Sequence, residues 1–209
     1  NTLSLHDALP IYPWETDPAF VEYAKEAGMW LEYAGRGSFE EPSAVATRNP
    51  VELGWGNLID FDHEFPGKEA LQELVEAPDR TTVTLVWNPE DVAAVHASQF
   101  GDEEPYEPIE GPYQTYFEDG AFVFKQDKVT DSDGTVVGIS SGRFYSEYYQ
   151  QMLSLCQIDR EASELGTEVT VIHGEPDARQ KAIRATVARY PYLDLERNYE
   201  YDVSQIPTP

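Results

Sequence analysis

A chain of 209 residues with 39 acidic against 14 basic side chains carries a formal charge of −25 and a pI near 4.2. A surface this negative repels phosphate backbones and anionic lipid heads, which argues against nucleic-acid and membrane-surface partners, and no stretch approaches the ~18 apolar residues of a membrane span. A single cysteine, Cys156, makes neither an internal disulfide nor a thiolate metal cage, while 41% hydrophobic content supplies a real core, so a cytoplasmic globular protein is expected.

In chain order, residues 1–11 stand apart. Thr2 to Ile11 read as the translation of a common sequencing adapter, ACT CTT TCC CTA CAC GAC GCT CTT CCG ATC, and no initiator Met opens the chain. The expectation is an adapter-derived artefact over 1–11 on an N-terminally truncated protein, and these residues are set aside from fold reasoning. Asp17-Pro18, then Phe20, Tyr23, Ala24 and Ala27 before Gly28, predict a short capped helix. Gly35 to Pro50 reads as loop. Val51 to Phe61, with Gly54 and Gly56, predicts a strand with a close backbone approach. Lys68 to Ala77 sets Ala70, Leu71, Leu74 and Val75 on one helical face, and Pro78-Asp79-Arg80 ends it.

From Thr81 the period changes from 3.6 to 2. Val83, Leu85 and Trp87 share one side of a strand. The proline- and acid-rich stretch from Trp87 to Gly120 reads as a long excursion, followed by a short apolar strand over Ala121 to Phe124. Lys128–Thr130 and Thr135–Ile139 flank Asp133-Gly134, a hairpin signal. Met152–Ile158, Glu168–Ile172 and Lys181–Ala188 complete the set, the last with Ile183, Ala185 and Val187 facing one way. The fold class is α+β at first and an all-β barrel or sandwich afterwards.

The acids are spread through every segment, as in Glu40-Glu41 and Asp102-Glu103-Glu104, and only 5 of the 14 basic residues are Lys. That texture suits a protein kept soluble at high salt, where screening shrinks to ~3 Å at 1 M. No phosphate-binding glycine loop and no HExxH pattern occurs. His63, His96 and His173 are too dispersed to propose a metal site, and Cys156 sits in an apolar strand as a small hydrophobe.

Longer patterns carry more. Asn49-Pro50-Val51-Glu52-Leu53-Gly54-Trp55-Gly56, then Phe61 and Glu64-Phe65-Pro66-Gly67-Lys68-Glu69-Ala70-Leu71, resemble the segment that closes the folate-binding region of the glycine-cleavage T-protein (aminomethyltransferase) family, roughly TPxEaGLGW followed by DFxGKEAL. Gly134-Thr135-Val136-Val137-Gly138 with Ser141-Gly142 is similar to that family's GxxVGxVTSG hairpin, and Gly166–Val169 and Ile183–Val187 before Tyr190-Pro191 to its closing strands. Val83 to Val92 and Phe61-Asp62-His63-Glu64-Phe65 look closer to the branch that O-demethylates vanillate- and syringate-type methoxyarenes.

The resemblance implies a remnant of an α/β folate-binding domain over 12–78, a C-terminal antiparallel, jelly-roll-like β-barrel over 79–200, and a tail over 201–209. It implies tetrahydrofolate as cofactor, a methoxyaromatic or similar small donor, and no metal. The glycine-cleavage activity itself, which needs a lipoyl carrier protein, is the alternative. A folate-binding assembly factor is a further one, disfavoured because Glu64 to Leu71 lacks the cysteine of the KGCYxGQE pattern. A carboxylate suits the paired N–H edge of a pterin, and Glu32 is the candidate, although the family's EAG stands here as Glu32-Tyr33-Ala34-Gly35. Glu52 and Trp55 match the family block by position, and Trp55 either walls the folate or sits in the core. Arg143 and Tyr145 either reach the cleft, anchoring the folate's glutamate tail, or belong to a plain surface loop. The proton-managing residue of the family lies upstream, so no catalytic residue is assigned and the chain alone is expected to have negligible turnover.

Overall fold

A computed structural model describes residues 18–27, 32–41, 45, 48–109, 117–118 and 121–193. The adapter-like residues 1–11, the expected cap Asp17, Gly28 and the tail 201–209 lie outside the described residues. The chain separates into two compact units, 1–34 with 115–123, and 35–114 with 124–209. In the first, helix α1 spans Pro18–Glu26, and strand β3 (Phe117–Glu118) pairs with the start of β4 through Phe117 and Phe122.

The second unit holds β2 (Arg80–Trp87), most of β4 (Ala121–Thr130), β5 (Val136–Ser146), β6 (Gln151–Asp159), β7 (Glu168–His173) and β8 (Lys181–Ala188). These pair antiparallel in the order β4-β5-β6-β2-β8-β7, and β7 returns to β4 through Val129↔Val171 and Thr130↔Thr170, closing a six-stranded barrel. Closure removes the edges an open sheet would expose. The short β1 (Glu32–Arg36) pairs with β4. Alternation fills the interior as expected: Val83, Leu85 and Trp87 of β2, Val169 and Val171 of β7, and Ile183, Ala185 and Val187 of β8 are buried. Cys156 lies among them with no exposure, and burial pushes its thiol up to about 12, so the inert small hydrophobe is what the fold contains.

Two local devices shape the ring. At Gly37 (φ 115°) a Cβ would stand 2.1 Å from the Gln126 carbonyl oxygen, so only glycine lets this backbone lie on β4. Its neighbour Ser38 then accepts the Lys128 amide on Oγ at 2.7 Å. In β5 the pairing with β6 shifts between Ser141 and Phe144, a bulge in which Gly142 takes φ 57°.

Four expectations are corrected. The stretch after Trp87 is not all excursion: α3 (Pro89–Ser98) follows directly, capped by Asn88, whose Oδ1 accepts the amides of Glu90 (3.0 Å) and Asp91 (3.1 Å), with Pro89 in the first turn. Its apolar signal was weak because Val95 is its one fully buried residue. Val51–Phe61 forms no strand but turns and a 3-10 turn over Gly56–Leu58. Ala121–Phe124 and Lys128–Thr130 are one strand, β4: between them Lys125 and Asp127 share the inner face with Val129 and meet Glu107 and Arg143 there, so that face is polar at these positions. Gly35 and Arg36 belong to β1 and not to a loop. The predicted helix over 68–77 forms as α2 (Lys68–Glu76), with no fully buried residue. Among the described residues no helix is long and apolar enough to cross a membrane.

The cap of α3 is testable. Asn88→Ala leaves two amide donors unpaired and is expected to lower stability by about 1 kcal/mol, seen as a fall of roughly 2–4 °C in melting temperature.

Candidate functional site

Three places in the fold gather polar or aromatic side chains. The first is the turn that carries Glu52 and Trp55. Asn49 and Glu52 form a reciprocal box: the Asn49 amide donates to Glu52 Oε2 (3.1 Å), and the Glu52 amide donates to Asn49 Oδ1 (2.9 Å). The Glu52 carbonyl accepts from the Thr82 hydroxyl, which fastens the turn to β2. Trp55 donates its backbone N–H to Pro50 (2.9 Å), and its indole is 52% exposed. Of the two readings of Trp55, the core indole is the one the fold does not use.

The second place is inside the barrel, where β4 meets β5 and β7. Arg143 Nη1 donates to Asp127 Oδ2 at 2.9 Å and faces His173 Nδ1 at 3.5 Å, while Nη2 lies 3.9 Å from Glu107 Oε1. His173 Nε2 donates to the Glu107 carbonyl (2.8 Å), which fixes the Nε2–H tautomer and leaves Nδ1 as an acceptor. Lys125 pairs with the Glu107 carboxylate. Burial, then the nearby Arg143 guanidinium, draws the Lys125 amine down to about 8, and it stays charged at neutral pH against Glu107. Burial also lowers the His173 pKa below the usual imidazole range, with the Asp127 carboxylate opposing. Beside this cluster the Trp87 indole N–H donates to Ser154 Oγ (2.9 Å), and Ser140 donates to the same oxygen (2.8 Å).

The third place is a cavity of about 700 Å³ between α3 and the β5–β6 hairpin. Tyr145 lines it, with Val92, Ala93, Tyr149 and Met152 among its other walls.

The sequence-predicted residues are therefore distributed. Glu32 opens β1, and its side chain lies outside the described residues. Glu52 and Trp55 share one turn. Arg143 and Tyr145 both lie on β5, yet Arg143 is buried on Asp127 whereas Tyr145 is 54% exposed at the cavity. No hydrogen bond or ion pair among the described residues joins the Glu52–Trp55 turn to either of them. The bulge explains the direction of the β5 pair. Before it, Gly138 and Ser140 stand opposite Ile158 and Cys156 on the inner face; after it, Tyr145 stands opposite Met152. One extra residue thus moves the odd-numbered side chains, Arg143 included, to the inner face. Asp127, Glu107 and His173 were missed by sequence reasoning. Asp127 had one signal, the run of charged and polar residues from Lys125 to Lys128 inside an otherwise apolar strand, and Glu107 and His173 had none. No group of His, Cys, Asp and Glu able to hold a metal occurs among the described residues.

No protein-family model matches the chain. It is 42% identical over 216 residues to the sesamin methylene transferase of Sinomonas sp. (strain No.22), an alignment covering 99% of this chain and 47% of that protein. It is 34% identical over 158 residues to the syringate O-demethylase of Sphingobium sp. (strain NBRC 103272 / SYK-6), covering 71% of this chain and 33% of that one. The chain thus spans half or less of the length of these curated relatives. Among solved structures, the glycine cleavage system aminomethyltransferase T from Bartonella henselae aligns with 69% of this chain and 32% of its own, at 15% identity and a TM-score of 0.43, below the level at which a shared fold follows.

The interior cluster makes two predictions. Asp127→Ala strands the buried Arg143 guanidinium and is expected to cost about 3–5 kcal/mol in denaturant unfolding. Because the His173 pKa is lowered in the folded state, the unfolded chain takes up a proton that the folded one refuses, so stability falls as pH drops below about 6.5 towards the folded value. In His173→Gln that component of the pH dependence disappears from melting curves recorded between pH 7.5 and 5.

Proposed function

The chain belongs to the glycine-cleavage T-protein (aminomethyltransferase) family, and from that premise we propose that it is part of a tetrahydrofolate-dependent one-carbon transferase whose donor is an aryl ether. The observation that carries the reading is the 42% identity, along 99% of this chain, to a protein named for methylene transfer from sesamin. The syringate O-demethylase similarity supports the same donor chemistry, a carbon bonded to a phenolic oxygen. For a methyl donor one C–O bond would break, the carbon would bond to an acceptor N–H nitrogen, and the proton that nitrogen gives up would go to the phenolic oxygen; a methylene donor would break both its C–O bonds, form two bonds to the acceptor and leave two phenolic hydroxyls.

The fit of the described residues to tetrahydrofolate is partial. Trp55 offers an exposed indole on a fixed turn, suited to stack on a planar ring. Glu52 does not suit the pterin edge, since its carboxylate is engaged by the Asn49 amide. Arg143 does not suit the glutamate tail, since it is buried on Asp127. Glu32, on β1, is the remaining carboxylate for the pterin. Tetrahydrofolate, when bound, supplies the nucleophilic nitrogen that accepts the carbon. The contribution of this chain is to bind and orient through Glu32 and Trp55, and we assign the proton-handling residue to the rest of the protein, given that the chain spans 47% of its relative.

The same reading makes 12–78 the end of a folate-binding domain and 79–200 its barrel companion. Exposed apolar groups support it: Leu58 is 74% exposed and Val75 of α2 37%, beside Trp55, as surfaces awaiting a further layer would be. The −25 charge accords with a cytoplasm of high salt.

In the full-length protein, Glu32→Gln is expected to weaken tetrahydrofolate binding at least tenfold, about 1.4 kcal/mol or more, read by isothermal titration. An unchanged Kd removes Glu32 from the site. Residues 1–209 alone, supplied with tetrahydrofolate and a methoxyarene, are expected to give no turnover above background by product chromatography.

A further inference from the structure

The cavity between α3 and the β5–β6 hairpin is absorbed by none of the roles above. Its volume of about 700 Å³ falls within the range of small-molecule sites. Its walls are aromatic and aliphatic: Trp87, Val92, Tyr145, Tyr149 and Met152, closed at the back by Ile109. The Trp87 indole N–H is turned inward onto Ser154, so its polar atom is already satisfied within the core. Tyr149 is held edge-on between Tyr148 (4.8 Å, 84°) and Tyr192 (5.0 Å, 85°), which fixes its ring before any ligand arrives. The polar rim consists of the amides of Gln150 and Gln151, with His96 on α3. Gln151 accepts the Tyr192 hydroxyl on Oε1 (2.7 Å), which leaves its amide N–H groups as donors.

Two features point to use. In a chain with 39 acidic side chains, none of the residues lining this cavity is Asp, Glu, Lys or Arg. And Gln150 is the one non-glycine residue with positive φ (54°) among the described residues, at a hairpin position where glycine would be cheaper. The backbone strain is retained while the Gln side chain lines the cavity.

We propose that this cavity binds a neutral aromatic molecule bearing ether oxygens and rejects its carboxylated counterpart. Flat rings match the aromatic walls, and amide N–H groups of the rim match ether oxygens. A carboxylate would lose its hydration there with no Lys or Arg to meet it, in the field of a strongly negative protein. The site stands on the cavity alone; only the identification of its occupant with the donor's ring rests on the one-carbon reading above.

The test uses the 209-residue chain at pH 7 with two probes that share a ring, methyl 3,4-dimethoxybenzoate and the 3,4-dimethoxybenzoate anion, followed by saturation-transfer NMR titration. The ester is expected to bind saturably with a Kd on the order of 1 mM, as suits so small a ligand, and the anion at least tenfold more weakly. Ala93→Phe, at an exposed position of α3, fills the cavity and is expected to abolish ester binding without moving the melting temperature. Tyr145→Ala, exposed on β5, is expected to weaken it several-fold, which keeps the test sound should the first variant misfold. Equal binding of ester and anion, no saturable binding of the ester, or ester binding unchanged in a folded variant of either kind overturns the proposal. If the ester binds as expected while full-length protein transfers no carbon to tetrahydrofolate, the site stands and the one-carbon reading falls.

Discussion

The barrel depends on how its last seam is closed. Among the described residues two pairs carry the ladder between β4 and β7, Val129↔Val171 and Thr130↔Thr170. Continuing that register by two residues sets Asp127 opposite His173, and there side chains take over from backbone: Arg143 from β5 lies between them, its Nη1 donating to Asp127 Oδ2 (2.9 Å) and facing the His173 Nδ1 acceptor (3.5 Å). Three adjacent strands are thus joined by one buried ionic cluster, and Glu107 brings the chain after α3 onto the same point. Buried charges of this kind stabilise only when every partner is in place. The cluster therefore acts as a condition on register more than as a source of net stability: a slip of one residue in β4 would turn Asp127 outward and leave Arg143 inside without its counter-ion.

That condition reaches the rest of the unit through the bulge at Gly142. Arg143 points inward only because an extra residue changes the face of β5 there. The same change sets Tyr145 opposite Met152, at the mouth of the cavity beneath α3. A single irregularity thus serves the interior cluster and the aromatic cavity together. The helix that roofs the cavity is anchored independently, by Asp91 receiving the Arg184 backbone N–H (3.0 Å) and Nε (2.8 Å) from β8. The cavity is therefore defined by two elements fixed to different strands of one closed ring, a rigid frame of the kind that ligand sites need.

How much of this was legible in the sequence follows from how each strand divides its faces. β2, β7 and β8 alternate because one face meets an apolar interior, so all three were legible as strands to within a residue, and the inward residues of β2 and β8 read directly from Val83, Leu85, Trp87, Ile183, Ala185 and Val187. β4 misled because Lys125 and Asp127 face a polar cluster inside while Gln126 is buried on the opposite face, so periodicity broke where the strand did not. α3 misled because the barrel wall beneath it needs little more than Val95 from the helix, although Asn88-Pro89-Glu90-Asp91 spelled its start. Over 49–58, prolines, glycines and the Asn49–Glu52 box overrode the apolar residues that suggested a strand. Among candidate site residues, the family pattern singled out Glu52 and Trp55, but neither the turn that carries them nor the use of Glu52 as a cap. Nothing in composition reveals the parity change that buries Arg143, since a bulge is a property of pairing and not of one strand.

The charge distribution closes the chain of reasoning from composition to chemistry. With 14 cations against 39 carboxylates, basic side chains are scarce, and the fold spends them internally. Lys125 and Arg143 meet Glu107 and Asp127, Arg80 meets Asp159, Lys128 meets Glu40, Arg179 meets Glu103, and Lys181 and Arg184 meet Asp91. The exposed pairs contribute little stability, at most about 1 kcal/mol each, but each withdraws a cation from ligand recognition. Lys128 and Arg184 show the effect from the acid side, for their hydrogen bonds hold Glu40 and Asp91 below the usual carboxylate range. An anionic ligand approaching this surface meets a repulsive field and cations already engaged, whereas a neutral ring meets only the desolvation of a few ether oxygens. Selectivity for neutral aromatic ligands then needs no dedicated repulsive residue; it is a consequence of how few cations the sequence contains and where folding commits them.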